Sequence, residues 1–180
     1  MNGRVNTQNV RRYAPGGNQP EFSFDVNESR EKVSVWAGML VNGVVIGPFF
    51  LEGNVNGHTY LELLNERVLP ALLRHFQDQF VNGRFQRIWC AQDGAPPHQR
   101  VIVSEWLREF FGDHVIALNH PIEWPPRSPD LTPCDYFLWG YMKSKVFCSP
   151  PVSINDLRNR ITHAFDNLKA ETCQEEPLVT

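Results

Sequence analysis

Two β-rich runs joined by Asn-Gly constrain this chain most. Val33-Ser34-Val35-Trp36-Ala37-Gly38-Met39-Leu40-Val41 meets Val44-Val45-Ile46-Gly47-Pro48-Phe49-Phe50-Leu51 across Asn42-Gly43. β-branched and aromatic residues suit strands, and Asn-Gly suits a tight turn whose residues take positive φ. The pattern predicts an antiparallel hairpin, which is only marginally stable until a face is buried. The rest of the chain supplies what can cover it. Tyr60, Leu64, Val68, Leu72 and Phe76 recur at helical spacing, with Thr59 and Glu62 as a capping box and Pro70 predicting a kink or break. A strand over Phe85–Gln92, a helix over Gln99–Phe111 and a short strand over Val115–Leu118 follow. Thr132-Pro133-Cys134-Asp135 and Ser153-Ile154-Asn155-Asp156 each read as a helix start. The last helix carries the stripe Leu157, Ile161, Ala164, Phe165, Leu168. The order implies an α/β fold with a mixed sheet, antiparallel first and then parallel through helical crossovers. It divides the sequence into an irregular segment over 1–30, a folded domain over 31–170 and a polar tail over 171–180.

Among 180 residues, 42% hydrophobic and 12% aromatic content is ample for one core-bearing domain. The formal charge of −3 argues against tight duplex binding by bulk charge, though a local basic groove remains compatible with it. Cys90, Cys134, Cys148 and Cys173 make no Cys-x-x-Cys pair and no zinc-finger spacing with histidine, so reduced thiols of an intracellular protein are expected. No secretory pattern opens the chain, and its apolar runs fall far short of the ~20 residues of a membrane span.

The chemistry concentrates in two carboxylates 42 positions apart. Asp93 ends the apolar run Arg87-Ile88-Trp89-Cys90-Ala91-Gln92 and opens Gly94-Ala95-Pro96-Pro97-His98. An aspartate at the C-terminal end of a parallel strand stands where open α/β sheets bind ligands; the same residue can also simply cap a turn. Asp135 follows Trp124-Pro125-Pro126-Arg127-Ser128-Pro129-Asp130-Leu131-Thr132-Pro133-Cys134. It occupies a position where an aspartate stabilises a helix start by about 0.3–1 kcal/mol with no further role, and Asp130 is a rival acid in the same loop. Arg127 is the best phosphate contact in that loop, and His98 can orient a phosphate or a carboxylate. Trp124, Tyr136, Phe137 and Trp139 read most simply as core.

The strings Gln92-Asp93-Gly94-Ala95-Pro96-Pro97-His98 and Trp124 through Asp135 resemble the second and third catalytic blocks of mariner-type DNA transposases of the DDE/D superfamily. Val35-Trp36-Ala37-Gly38 with Ile46-Gly47-Pro48-Phe49-Phe50 resembles that family's hairpin. The resemblance spans roughly residues 2–168. It implies a ribonuclease H-like fold, DNA transposon ends as partner, a nuclear location and three carboxylates holding two Mg²⁺ or Mn²⁺ ions. Asp93 matches the second catalytic aspartate and Asp135, rather than Asp130, the third; both would be metal ligands. A pair of ions ~3.5–4 Å apart activates water or a 3′-hydroxyl and stabilises the leaving oxygen, with no small-molecule substrate and no covalent protein intermediate.

One departure is informative. The family's first aspartate precedes an Asn-Gly-x-Val-Asn segment, which here is Asn2-Gly3-Arg4-Val5-Asn6. The first strand and its acid are therefore expected to be missing, and Glu21, Asp25, Glu28 and Glu31 are poor substitutes because none ends an apolar strand. The preferred expectation is a nucleic-acid-binding transposase remnant impaired in catalysis. The alternatives are an active metal-dependent transposase or endonuclease completed by another acid or chain, and a non-enzymatic interaction module that homodimerises through an open sheet edge.

Overall fold

The computed structural model describes residues 32–40, 42–125 and 128–174. The expected hairpin is present as β1 (Ser34–Met39) and β2 (Val45–Leu51), paired antiparallel. The turn differs from the two-residue form. Leu40 N–H donates to Val44 O at 2.8 Å and Gly43 N–H to Leu40 O at 2.9 Å, which spans a three-residue connection with Gly43 at φ 84°. A glycine in this left-handed conformation closes the common three-residue hairpin.

The ladder slips between Trp36↔Phe49 and Gly38↔Ile46, so Ala37 faces two residues, Gly47 and Pro48. This bulge suits both. Pro48 has no N–H to give a ladder. Gly47, at φ 108°, leaves no room for a Cβ, which would stand 2.9 Å from the Trp36 carbonyl oxygen.

Alternation along the hairpin then sends its side chains into two cores. Ile46, with Trp36, Phe49 and Leu51 packed beside it, joins the first core. Val33, Ala37 and Val45, with Val35, Met39 and Phe50, join the second. The first core is built on α1 (Gly57–Leu63), α2 (Leu69–Phe76) and α3 (Val101–Phe111). The second is built on α4 (Trp139–Val146) and α5 (Ile154–Gln174). The hairpin is thus the shared wall of a helix–sheet–helix sandwich. Val103, Val115, Leu138, Met142, Val146, Ile161 and Phe165 are fully enclosed.

Several boundaries shift from the sequence expectation. Helix α1 starts one turn early: Asn56 caps it, accepting from His58 and Thr59 N–H, while the Thr59 hydroxyl accepts from Asn56 N–H. Thr59 is the third residue of this capping box rather than its cap. Before Pro70 the α-helical ladder is interrupted, though the helical path continues. A π turn, Leu64–Val68, precedes Pro70, closed by Leu69 N–H on Leu64 O, and α2 begins with the proline in its first turn, where a missing N–H costs little.

The strand expected over Phe85–Gln92 is split. Arg84–Phe85 (β4) pairs with Phe80–Val81 (β3) around Asn82-Gly83, both at positive φ, and only Cys90–Ala91 (β5) precedes Asp93. β5 pairs in parallel with β6 (Val115–Ile116). The three ladders β1–β2, β3–β4 and β5–β6 are separate among the described residues. Helix α5 continues to Gln174, beyond the boundary drawn at 170. Its predicted stripe is buried throughout, and Ser153 and Asp156 cap its start as the sequence implied. The irregular segment 1–30 lies outside the described residues. No helix among the described residues is long and apolar enough to cross a membrane.

Candidate functional site

Asp93 leaves the β5–β6 ladder directly after Gln92, whose N–H donates to Ile116 O at 3.0 Å. The chain then turns. Ala95 N–H donates to Asp93 Oδ1 at 3.2 Å, and His98 N–H to Ala95 O at 2.9 Å. The turn returns the His98 ring to the aspartate: Nδ1 lies 2.7 Å from Asp93 Oδ1 and 3.1 Å from the Asp93 carbonyl oxygen. Both of those oxygens only accept, so Nδ1 carries the proton. His98 is therefore a partner of Asp93 in this structure.

A second tier braces the turn. The His98 ring lies 4.6 Å from that of Tyr60, which is buried on α1. The Tyr60 hydroxyl donates to Gln92 Oε1, and Gln92 Nε2 donates to the His98 carbonyl, both at 3.4 Å. Trp36 of β1 packs against the core cluster that contains Tyr60. A path of contacts therefore runs from the hairpin through α1 to the Asp93 loop. Burial pushes the Tyr60 phenol far above its usual range, which keeps it a neutral donor. Chiefly the His98 bond, aided by the Ala95 N–H, holds the Asp93 carboxyl below the ordinary carboxylate value.

Asp135 is positioned differently. Cys134–Leu138 forms a π turn that runs into α4, with Asp135 N–H and Tyr136 N–H both donating to Thr132 O, at 2.8 and 3.1 Å. Leu138 anchors the turn in the second core, and the Cys134 thiol reaches the Ala37 carbonyl of β1 at 3.9 Å. Partial burial raises the Asp135 carboxyl above its ordinary value, the charge of Asp93 raises it further, and Lys143 opposes both. Asp93 is the stronger acid and already ionised when Asp135 titrates, so their repulsion falls on Asp135. Burial, with the charges of Asp135 and Asp93, also pushes the Cys134 thiol up to about 11. Folding therefore brings the two acids, distant in sequence, within electrostatic reach of each other and of Cys134.

The other candidates divide. Arg127 lies outside the described residues, as do Glu21, Asp25, Glu28 and Glu31. Asp130 is exposed in a 3₁₀ turn, Pro129–Leu131. Trp124 is buried as expected, and Trp139 is half-buried with its ring edge-on to Phe165 at 6.5 Å. Tyr136 and Phe137 are not core: they are 65% and 41% exposed. Of the two roles expected for His98, the structure shows the carboxylate one, toward Asp93; sequence reasoning missed the parts played by Tyr60 and Lys143.

Two exposed carboxylates that repel each other form a hard-oxygen donor set, and a divalent cation between them would relieve the repulsion. Among the described residues, no group of three His, Cys, Asp or Glu side chains is arranged to hold a metal ion. The acids fit a cation as a partial site. No protein-family model and no curated protein matches the chain.

Proposed function

We propose that this chain is a DNA-binding domain derived from a mariner-type DNA transposase, ribonuclease H-like in fold, acting on DNA in the nucleus with impaired strand cleavage. The observation that carries the reading is that Asp93 stands exposed at the C-terminal end of the parallel β5–β6 pair and Asp135 exposed on the π turn, the charge of the first acting on the second, because the two acids belong to the two motifs that resemble that family's catalytic blocks. The fold lends support. An antiparallel hairpin and a parallel pair form separate ladders between helical layers. That arrangement remains when the central strand of a ribonuclease H-like sheet is not among the described residues.

Asp93 and Asp135 would hold Mg²⁺ or Mn²⁺, which supplies Lewis-acid activation of the attacking and leaving oxygens. The chain's own part is positional. His98 and the Ala95 N–H fix one Asp93 oxygen and keep the carboxylate ionised, leaving Oδ2 as the donor with no bond to the turn. The Tyr60–Gln92–His98 contacts prevent the loop from turning away. The Asp135 carboxyl, raised by partial burial and by its neighbour's charge, ionises more fully as positive charge approaches. Two carboxylates, the set found among the described residues, hold such a cation weakly, which is the basis for impaired cleavage.

The test uses the full chain with transposon-end duplexes and Mn²⁺. Binding that weakens with salt and negligible nicking are expected. Clear nicking that Asp93→Ala abolishes would overturn the impairment, and absence of any DNA binding would overturn the nucleic-acid reading itself.

A further inference from the structure

The turn that carries Asp135 presents exposed aromatic rings, Tyr136 and Phe137, at the edge of the second core, against which Tyr141 is packed. The buried positions of this segment are Leu138, Met142 and Val146, four residues apart. The opposite side carries Tyr136 and Phe137, 65% and 41% exposed. The Phe137 ring stacks with that of Tyr141 at 6.1 Å and 26°, and Lys145 Nζ lies 5.4 Å from the centre of the Tyr141 ring. Phe137, Tyr141 and Lys145 thus form one row along the helix, about 12 Å long at 1.5 Å per residue. Beside it, Tyr136 is followed by Gly140, around which a Cβ would meet nothing within 4 Å, and by exposed Lys143, which acts electrostatically on Asp135. Flat rings that offer π-faces, open backbone between them and ammonium groups at one end match the chemistry of unpaired nucleotides: bases stack and phosphates pair with lysine. Duplex DNA keeps its base faces inside the stack and cannot use the rings in this way.

We infer that the exposed Tyr136–Phe137 face, with Lys143 and Lys145, binds single-stranded DNA and stacks its bases next to Asp135. The inference rests on the nucleic-acid reading above and adds to it a strand state and a location.

Fluorescence anisotropy of a labelled oligothymidine and of a matched duplex, with the full chain and no metal, tests it. Tyr136→Ala with Phe137→Ala should weaken oligothymidine binding by about 5- to 100-fold and leave duplex binding unchanged. Tyr136→Phe with Phe137→Tyr should retain both. Lys143→Ala with Lys145→Ala should lower the salt dependence of oligothymidine binding by roughly one unit of log–log slope. Both rings are exposed, so the thermal midpoint of the alanine variant should match the parent and exclude misfolding as the cause. Oligothymidine binding that ignores the double alanine change overturns the inference. Duplex binding without oligothymidine binding overturns it while sparing the nucleic-acid reading, and no binding of either DNA overturns both. Self-association lost in the alanine variant, without oligothymidine binding, assigns the face to a second copy of the chain and overturns it too.

Discussion

Asp93 and Asp135 carry the same side chain in proline-framed loops, yet the protein treats them in opposite ways. Asp93 sits at the end of a parallel ladder and its carboxylate receives two donors, His98 and Ala95 N–H. Asp135 sits on a π turn whose rigidity comes from below, through Leu138, and its carboxyl is burdened by partial burial and then by its neighbour's charge. One acid is stabilised as an anion and the other is made reluctant to become one. The difference shows that a motif residue's chemistry is set by its local donors and by whichever charge the fold brings near it.

The largest effect should come from removing the support beneath Asp135. Leu138→Ala empties a fully buried site and should cost about 2–5 kcal/mol in denaturant unfolding. The Asp93 turn, built on the other core, should keep its native chemical shifts in the folded variant. Tyr60→Phe acts on the opposite side of the comparison. It removes the hydroxyl that donates to Gln92 Oε1 and should cost about 0.5–1.5 kcal/mol, with local hydrogen exchange rising in the Asp93 loop.

Smaller effects follow from the titrations, read by carboxyl-carbon NMR. Asp93→Asn should lower the Asp135 pKa without restoring it fully, since partial burial remains; an unchanged Asp135 would break the proposed coupling. His98→Ala should let the Asp93 pKa rise toward the ordinary value, with a stability loss near neutral pH under about 1 kcal/mol because the pair is substantially exposed. The signs are opposite. A lowered folded pKa makes the Asp93 contribution complete above the unfolded pKa and lost as pH falls through the folded value. A raised folded pKa makes the Asp135 contribution complete below the unfolded pKa and lost as pH rises through the folded value.

Periodic segments were legible in the sequence. The hairpin and the stripe of α5 follow from side-chain alternation that burial enforces on both. The boundaries were harder because neighbouring signals compete. Asn56 outranked Thr59 as a cap by reaching two N–H groups at once. A second Asn-Gly turn, Asn82-Gly83, drew Arg84–Phe85 into a hairpin of its own and shortened the strand before Asp93. At the site, the two acids were legible from their motifs, but the direction of each titration was not, since it depends on contacts between distant segments. Tyr136 and Phe137 passed as core because apolar residues cluster there. Only the register of Leu138, Met142 and Val146 reveals which side of the helix is enclosed.

The shared hairpin wall has a consequence for how the molecule comes apart. Neither helical layer can release its side chains from β1 and β2 without stripping one face of the strands that the other layer needs. Melting should therefore be a single cooperative event across both layers, with fluorescence and far-ultraviolet circular dichroism tracing the same curve.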